Sequence, residues 1–434
     1  MKLSIVVMAA GLGTRMKSSL PKVLHPLSGH PMLYHILRQA LLLSDDIHVV
    51  LYHQHEAIKA RMNTYFNTDH LHFVLQDHAN FPGTGGALMA AAPKHDKVLV
   101  LNGDMPLVQA KDFEDFLLHD TAVVMSVFEA HNPFGYGRVI MDKNQHVKRI
   151  VEEKDASLEE KALRTVNAGV YLFQKAFLHS ALPTLSNANA QKEYYLTDLV
   201  EMAVNKGERV AAVRVDSDRF MGVNSKVHLA QAEGLMQQRL RHFWMEQGVS
   251  MRLPETVFID SQATFEGECA LENGVSILGK THLCHSHIKA HSIIESSTIA
   301  NSHVGPLARI RPGCDIRDSH IGNFVEVKNS VLKGVKAGHL SYLGDASIDE
   351  GTNVGCGTIT CNYDGKAKHR TVIGKNVFIG SDTQLVAPVV IEDNVLIAAG
   401  TTVTQNVPSD ALAISRAKLS IKHGFFSRFF PKKG

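Results

Sequence analysis

Apolar and polar positions follow one pattern in the first half of the chain and another in the second. Up to about residue 224, short apolar runs alternate with helix-length segments. The runs at 3–10, 47–52, 98–101, 122–128 and 169–173 predict strands, and the spacing at 32–43 predicts a helix. Strands separated by helical segments indicate a mainly parallel sheet with helices on both faces, whose ligands bind at the carboxyl ends of the strands.

Beyond residue 224 the period changes twice. Residues 225–247 contain no proline and predict a connecting helix of about 35 Å. From about residue 255, aliphatic residues recur every six positions, as in Ile373, Ile379, Leu385, Ile391, Ile397 and Val403. One aliphatic residue in six suits one flat side of a triangular coil, and such coils stack around a continuous core. An antiparallel β-sandwich would alternate every two residues instead. Residues 361–370 break the period and predict an extruded loop.

Composition narrows the class of protein. The 434 residues predict two or three domains, and 44% hydrophobic with 20% charged residues excludes a disordered or fibrous chain. With 45 basic and 43 acidic residues the net charge is +2, which opposes general nucleic-acid binding. We expect neither a membrane span nor a signal peptide, since the apolar runs are too short. Five cysteines without a CxxC pair predict reduced thiols and a cytoplasmic protein.

Phosphate-binding residues follow the first strand. The run AAGLGTRM at 9–16 is followed by Pro21-Lys22. Glycines let backbone N–H groups approach phosphate oxygens, while Arg15 and Lys22 supply charge where a leaving pyrophosphate would develop it. Taken alone, the two glycines could equally form a tight turn. Asp104 follows the run at 98–101 and could bind Mg²⁺ or cap a helix.

A polar run, AGHLSYLGD at 337–345, interrupts the solenoid. An amine must be unprotonated to attack a thioester, and a neutral imidazole is a suitable general base, so we predict this role for His339. The alternative is a surface histidine, since the chain has 25. Arg311 and Lys328 offer phosphate-binding cations in preceding coils.

These motifs, in this order, resemble those of sugar-1-phosphate nucleotidyltransferases. With the solenoid, the whole chain resembles the family of bifunctional N-acetylglucosamine-1-phosphate uridyltransferase/glucosamine-1-phosphate acetyltransferases. The resemblance implies a Rossmann-like α/β nucleotidyltransferase domain at 1–224, a linker helix at 225–247, and a left-handed parallel β-helix of hexapeptide repeats with a C-terminal tail at 248–434. It also implies a homotrimer whose chains share the acetyltransferase sites.

The implied activity has two steps. Acetyl-CoA acetylates glucosamine-1-phosphate, with His339 as general base. Uridylyl transfer from UTP to N-acetylglucosamine-1-phosphate then releases pyrophosphate and requires Mg²⁺. The balanced charge predicts no nucleic-acid partner.

The resemblance also assigns residues to each site. Asp104 and Asn224 would be the magnesium ligands. The uridyltransferase substrates would be bound by Met8, Ala9, Ala10, Gly11, Arg15, Lys22, Gln76, Gly83, Thr84, Asn102, Gly137, Glu152, Asn167 and Asn224. Within that set, Gln76 and Gly83 would bind the uracil, and Thr84, Gly137, Glu152 and Asn167 the acetylated sugar. The acetyltransferase would bind the sugar phosphate through Arg311, Lys328, Tyr342, Asn353 and Lys368, and acetyl-CoA through Cys356, Asn362, Tyr363, Ser381, Ala399 and Arg416.

Several positions depart from the family's usual pattern. Asn102 stands where the family usually has Tyr, Gly86 replaces a common His after the GTG, and Phe81-Pro82 lengthens the preceding loop. These departures concern the base and sugar pocket rather than the phosphates and the metal. Cys356 replaces a frequent Ala, and Phe425 stands where some members have Trp.

Two other interpretations are a one-site enzyme and, from a different functional class, a scaffold without activity. The chain could be a nucleotidyltransferase whose solenoid serves only assembly or regulation, or an inactive scaffold that binds partners. The clustered His, Tyr and Asn residues of the solenoid oppose the first, and the complete phosphate and metal set opposes the second.

Two further features have open interpretations. The four histidines His282, His285, His287 and His291 could bind zinc between subunits but are typical of solvent-facing corners. The Phe-rich segment 422–433 could bind a membrane surface or pack on a neighbouring subunit.

Overall fold

The computed structural model describes residues 2–430. The described chain divides into two compact units, which separate between Gln237 and Gln238. None of the helices within residues 2–430 has both the length and the apolar character that crossing a membrane requires.

The first unit is built on a mixed sheet with flanking helices. Its strands are β1 (Leu3–Met8), β2 (Pro26–Leu27), β3 (His30–Pro31), β4 (Asp46–Leu51), β5 (Leu71–Leu75), β6 (Lys97–Asn102), β7 (Val123–Glu129), β8 (Arg138–Met141), β9 (Val147–Val151), β10 (Thr165–Gln174) and β11 (Val210–Arg214). Its helices are α1 (Met32–Ala40), α2 (His55–Asn63), α3 (Gly83–Met89), α4 (Glu114–Leu117), α5 (Leu158–Lys161), α6 (Lys175–Ala181) and α7 (Asp198–Asn205). Short 3₁₀ turns lie at Thr14–Met16, Lys22–Leu24, Ala110–Phe113 and Leu182–Thr184.

The sheet order is β11-β7-β10-β6-β1-β4-β5, with β8 and β9 as a hairpin beside β10. The strands predicted from the apolar runs are confirmed, and β6, β1, β4 and β5 run parallel as expected. The predicted strand at 169–173 differs, because β10 runs antiparallel to both β6 and β7. The chain enters β10 from the β8–β9 hairpin at the carboxyl end of β7, without a helical crossover to the other end of the sheet, and the direction therefore reverses.

Apolar layers cover both faces of this sheet. In β1, Ile5 and Val7 pack into one layer and Val6 into the other. Because successive side chains of a strand point to opposite faces, a strand buried on both sides is apolar throughout. This explains the uninterrupted apolar run that opens the chain.

The helix predicted at 225–247 is confirmed as α8 (Lys226–Glu246), about 32 Å long at 1.5 Å per residue. In the first unit, Gln237 donates a hydrogen bond of 2.9 Å to the Ser28 hydroxyl. In the second unit, the Trp244 ring lies 4.8 Å from that of Phe265. The division between the units therefore falls inside this helix.

The second unit is a parallel β-helix, as the period of six predicts. One sheet contains Ser250–Met251, Ala270–Leu271, His287–Ile288, His303–Val304, His320–Asn323, Lys336–His339, Asn353–Val354, Phe378–Ile379, Leu396–Ile397 and Leu412–Ala413. The next contains Phe258–Ile259, Ser276–Leu278, Ile293–Glu295, Arg309–Ile310, Glu326–Lys328, Tyr342–Gly344, Ile359–Cys361, Gln384–Val386 and Thr402–Val403. The third contains Thr264–Glu266, His282–Cys284, Thr298–Ala300, Asp315–Arg317, Val331–Lys333, Ala346–Ile348, Thr371–Ile373 and Val389–Ile391.

Stacked aliphatic rows form the core of the β-helix. Ile294, Ile310, Val327 and Leu343 pair in register on successive coils, and all four are fully buried. A single coil therefore cannot bury its aliphatic residues alone and needs the coils stacked above and below it. The predicted loop at 361–370 is confirmed; it leaves the coil after Cys361 and is closed by a bridge between Tyr363 and Lys368. The short helix α9 (Phe425–Phe429) follows the last coil.

Candidate active sites

Four charged and polar residues from distant parts of the first unit meet at the carboxyl ends of β1 and β6. Lys22 Nζ donates to Asp104 Oδ2 at 2.6 Å and to Asn224 Oδ1 at 3.1 Å, and Arg15 Nη2 donates to the same amide oxygen at 2.9 Å. The backbone N–H of Val223 donates to the Asp104 carbonyl at 2.8 Å, which holds the Asn224 segment beside β6. The phosphate-binding and metal-binding candidates therefore form one cluster.

The glycine-rich loop after β1 lies against this cluster. Gly103 donates its N–H to the Met8 carbonyl at 2.8 Å, so that the loop and Asp104 are held together. Gly13 has φ +64°, and a Cβ there would lie 2.7 Å from Lys22 Cβ. A side chain at position 13 would thus displace the segment that carries Lys22.

Gln76 organises the loop on the side expected to bind the base. Its side chain is buried, and its Nε2 donates to the carbonyls of Phe81 at 2.9 Å and Gly83 at 3.0 Å. The Thr84 hydroxyl accepts a hydrogen bond of 3.0 Å from the Leu196 N–H. A Cβ on Gly86 would overlap the Phe81 carbonyl oxygen. The small residue at 86 and the longer loop before it both depart from the family pattern. They depend on each other, because the Phe81 carbonyl of that loop occupies the space that a side chain at 86 would need.

The predicted acceptor-sugar residues are also brought together. Asn167 donates its N–H to the Gly137 carbonyl at 2.9 Å, and a Cβ on Gly137 would lie 3.6 Å from each carboxylate oxygen of Glu152. Thr197 donates to Glu152 Oε1 at 3.0 Å. Burial raises the pKa of Glu152, partly offset by this hydrogen bond, while negative charge on Asp155 raises it further. Thr197 lies 45 residues from Glu152 and belongs to no motif in the sequence, so it was not among the predicted residues.

A carboxylate-lined cavity of about 520 Å³ adjoins Glu152. Asp155, Asp198 and Glu201 also line it. Burial, and then the negative charges of Glu152, Glu201 and Asp155, raises the pKa of Asp198 to about 6. No motif in the sequence singled out Asp198.

In the β-helix, the residues expected to hold a sugar phosphate lie on adjacent coils. Arg311 forms an ion pair of 2.9 Å with Glu326, whose strand neighbour on the next coil is Tyr342. Lys368 comes from the extruded loop and approaches Lys328 closely enough to lower the pKa of that ammonium group.

Two acidic residues outside the predicted set, Glu326 and Asp345, complete this group. Glu326 balances the charge of Arg311. Asp345 accepts hydrogen bonds from Asn362 and, at 2.6 Å, from Asn329. Burial would raise the pKa of Asp345, but these hydrogen bonds and the nearby Lys368 lower it. Asp345 closes the AGHLSYLGD run, so that run contained the signal for it.

His339 ends the strand Lys336–His339 on the neighbouring sheet. Its side chain is exposed, its partner in the preceding coil is Asn323, and Tyr342 follows three residues later. Asn353 lies on the next coil, opposite Lys336. The imidazole is thus accessible to substrates on the outer surface of the β-helix.

The residues expected to bind acetyl-CoA follow a line across successive coils. The backbone N–H of Asp382, the residue after Ser381, donates to the Cys356 carbonyl at 2.7 Å. The backbone N–H of Gly400, the residue after Ala399, donates to the Ser381 carbonyl at 2.8 Å. Arg416 Nη2 donates to the Ala399 carbonyl at 2.9 Å. Cys356, Ser381, Ala399 and Arg416 are exposed, as is Tyr363 in the extruded loop. Asn362 lies next to the residues expected to bind the sugar phosphate, with its Nδ2 3.4 Å from Tyr342 Oη.

The four histidines at 282–291 lie within one turn of the β-helix, on two different sheets and at the corners that follow them. His285 and His291 are exposed at corners, while His287 contacts Glu272 at 3.0 Å and His282 contacts Thr264 at 3.0 Å. Within residues 2–430 no group of three or more His, Cys, Asp or Glu side chains is arranged to hold a metal.

In the C-terminal tail, four Phe side chains of 425–430 are exposed. Pro431 to Lys433 lie outside the described residues.

The fold and the two clusters define a nucleotidyltransferase followed by a hexapeptide-repeat transferase. The family described as MobA-like NTP transferase domain matches residues 5–166, and the bacterial transferase hexapeptide (six repeats) family matches residues 370–405. The Bifunctional protein GlmU of Nitratiruptor sp. is 60% identical over 100% of both chains. Those of Aliarcobacter butzleri and Wolinella succinogenes are 57% and 58% identical, over at least 99% of each chain. The chain therefore belongs to the bifunctional GlmU family.

Family membership decides between the functional classes. The chain is a two-step acetyltransferase and uridyltransferase. An assembly-only solenoid and an inactive scaffold are both set aside.

Proposed function

We propose that uridylyl transfer from UTP to N-acetylglucosamine-1-phosphate takes place around Asp104 and Asn224, and that acetyl transfer from acetyl-CoA to glucosamine-1-phosphate takes place around His339. The observation that carries the first assignment is the convergence of Arg15 and Lys22 on Asp104 and Asn224, with donor–acceptor distances of 2.6 to 3.1 Å. Cations and oxygen ligands in one cluster suit a nucleoside triphosphate and its metal.

Asp104 and Asn224 would hold Mg²⁺. They offer a carboxylate and an amide oxygen, the hard ligands that Mg²⁺ prefers. The Lys22 ammonium already lies between these two oxygens, which supports the site as a place for a cation. Bound there, magnesium would neutralise charge on the nucleotide phosphates.

The protein's own part in uridylyl transfer is positioning and charge. Backbone N–H groups of the loop after β1 would bind phosphate oxygens, and Arg15 and Lys22 would stabilise the charge that develops on the leaving pyrophosphate. An oxygen of the sugar phosphate attacks the α-phosphorus in line, and the bond to the β-phosphate breaks. No protein nucleophile is needed, because correct placement of both substrates supplies much of the rate.

Gln76 would select uracil. Both protons of its amide nitrogen are directed at the carbonyls of Phe81 and Gly83, which leaves the side-chain oxygen to accept a hydrogen bond. Uracil offers an N–H donor at N3, where cytosine offers an acceptor. The backbone of Gly83 would lie beside the same ring.

Thr84, Gly137, Glu152 and Asn167 would bind the acetylated sugar. Glu152 is tied to Thr197 and can accept a hydrogen bond from a sugar hydroxyl through its remaining oxygen. Its position beside Gly137 and Asn167 supports a shared pocket.

In acetyl transfer, His339 would take the proton of the attacking amine. The nitrogen bonds to the acetyl carbon, the thioester bond breaks, and the CoA thiolate leaves and is protonated. Arg311, Lys328, Lys368 and Tyr342 would hold the sugar phosphate, with Asn353 nearby. The exposed line from Cys356 through Ser381 and Ala399 to Arg416, flanked by Asn362 and Tyr363, would carry the CoA chain.

We also propose that the acetyl step precedes the uridylyl step, because the uridyltransferase takes the acetylated sugar. The sites would lie in a domain at 1–224 and a β-helix at 248–434, linked by 225–247. A cytoplasmic homotrimer with shared acetyltransferase sites would complete the enzyme. All five cysteines are free, which supports a reducing compartment.

The test is a mass spectrum of the sugar products after incubation with glucosamine-1-phosphate, acetyl-CoA, UTP and Mg²⁺. We expect UDP-N-acetylglucosamine, and the acetylated sugar phosphate alone if UTP is withheld. Acetylated sugar phosphate as the final product with UTP present would refute the uridyltransferase assignment. When Mg²⁺ is omitted and excess chelator is added, UDP-N-acetylglucosamine should no longer form, while the acetylated sugar phosphate should still be made.

A further inference from the structure

Asn102 ends β6, two residues before Asp104, and its side chain binds the backbone of a neighbouring strand. Its Nδ2 donates a hydrogen bond of 3.1 Å to the Gly169 carbonyl in β10. The pairing of β10 with β6 ends at Tyr171, and its register with β7 shifts between Asn167 and Tyr171. Gly169 itself has φ +81°. The amide of Asn102 thus supports β10 where its regular pairing is interrupted.

The contact between Asn102 and Gly169 is close. A Cβ on Gly169 would lie only 2.6 Å from Asn102 Nδ2, so this amide nitrogen is packed directly against the backbone. This hydrogen bond engages one of the two N–H protons of the Asn102 amide with the protein backbone. The Asn102 side chain is thus anchored to β10, a role beyond the substrate contact that the family resemblance implies for position 102.

Hydrogen bonds continue from Gly169 into the proposed sugar pocket. Gly169 donates its N–H to Asn167 Oδ1 at 2.9 Å, and Asn167 donates its own N–H to the Gly137 carbonyl at 2.9 Å. Glu152 lies next to Gly137. A continuous set of contacts therefore joins the strand end that carries Asp104 to the residues proposed to bind the acetylated sugar.

We infer that Asn102 is a positioning residue of the uridyltransferase site: it acts through Gly169 to hold Asn167 and Gly137 in register with Asp104, and so places the acceptor sugar without touching the nucleotide. The inference rests on the proposed function. In-line attack depends on the position of the acceptor phosphate, and small displacements reduce the rate strongly.

The test is the uridylyl-transfer kinetics of Asn102→Ala with Mg²⁺ saturating. Loss of one hydrogen bond should raise KM for N-acetylglucosamine-1-phosphate about three- to tenfold and lower kcat, while KM for UTP changes less than about twofold. Asn102→Asp should do at least as much, because its carboxylate faces the Gly169 carbonyl without a donor. Asn144→Ala, an exposed asparagine of the same unit, is the matched control, and calorimetric unfolding of the first unit in each variant checks the fold.

A double-mutant cycle separates positioning from direct contact. If Asn102 acts through Asn167, adding Asn102→Ala to Asn167→Ala should change the sugar KM by less than about twofold. Independent effects in this cycle, a rise in KM for UTP instead of the sugar, or no change in either KM would overturn the inference while leaving the proposed function intact. A wild-type enzyme that transfers no uridylyl group would refute both.

Discussion

Asp198 gives a pH-dependent prediction for stability. It lies in the first turn of α7, beside a cavity also lined by Glu152, Asp155 and Glu201. Its pKa is raised from 3.8 to about 6, first by burial and then by these negative charges. A pKa above that of the unfolded chain means that the folded state favours the protonated form. The contribution of protonated Asp198 to the free energy of unfolding is therefore fully present below about pH 4 and is lost as pH rises through about 6.

The magnitude follows from the size of the pKa change. A rise from 3.8 to about 6 corresponds to about 3 kcal/mol between the two protonation states. The side chain is only half-buried, so screening by water reduces this to about 2 kcal/mol. A carboxylate in the first turn of a helix is favourable by about 0.3–1 kcal/mol, which Asn would lose. We therefore expect Asp198→Asn to stabilise the first unit at pH 8 by about 1–2 kcal/mol, or about 2–8 °C in Tm.

Calorimetric unfolding at pH 8 and pH 4.5 measures this effect. The gain should fall to less than half at pH 4.5, where Asp198 is protonated in the folded state. Trp244 is the single tryptophan and packs in the second unit, so the transition seen by its fluorescence should not move. Asp69→Asn, an exposed carboxylate of the first unit, is the matched control and should change stability by less than about 0.5 kcal/mol. An Asp198→Asn variant that is no more stable than wild type at pH 8, or equally stabilised at both pH values, would refute the reasoning.

Three substitutions test the two sites separately. Asp104→Ala should lower pyrophosphate release by about 100-fold or more, because a metal ligand is lost, and leave CoA release intact; loss of both activities would contradict independent sites. His339→Ala should lower CoA release by about 100-fold or more with pyrophosphate release unchanged, and a change below about threefold would remove it as the general base. Gln76→Glu should raise KM for UTP about tenfold or more, since the carboxylate cannot donate to the Phe81 and Gly83 carbonyls, while KM for the sugar phosphate stays constant. A parallel rise in both KM values would argue against a role in base binding.

The β-helix was predictable from the sequence because its core is local. Each inward position, such as Ile373 or Ile379, repeats the environment of the position six residues earlier, so the chain shows the period directly. The predicted strands of the first unit were equally clear, but the direction of β10 was not. That direction depends on the β8–β9 hairpin, whose strands are short and contain charged residues, and therefore carry a weaker apolar signal.

The candidate sites were predictable only in part. Motifs after β1 and β6 identified Arg15, Lys22 and Asp104, since strand ends in such folds are where ligands bind. The partners that set their environment come from elsewhere in the chain. Thr197 bonds to Glu152 across 45 positions, and Glu326 pairs with Arg311 on the next coil. Such pairings depend on the folded backbone, and single polar residues leave no periodic pattern in the sequence.

The contact between Phe81 and Gly86 constrains how this pocket can evolve. A larger residue at 86 would collide with the Phe81 carbonyl, which Gln76 holds in place. The larger residue becomes tolerable only after the loop at 81–82 has moved or shortened. The two differences are therefore epistatic: the order of mutation matters, and exchange of the single residue between relatives should fail where exchange of the whole segment 76–86 succeeds.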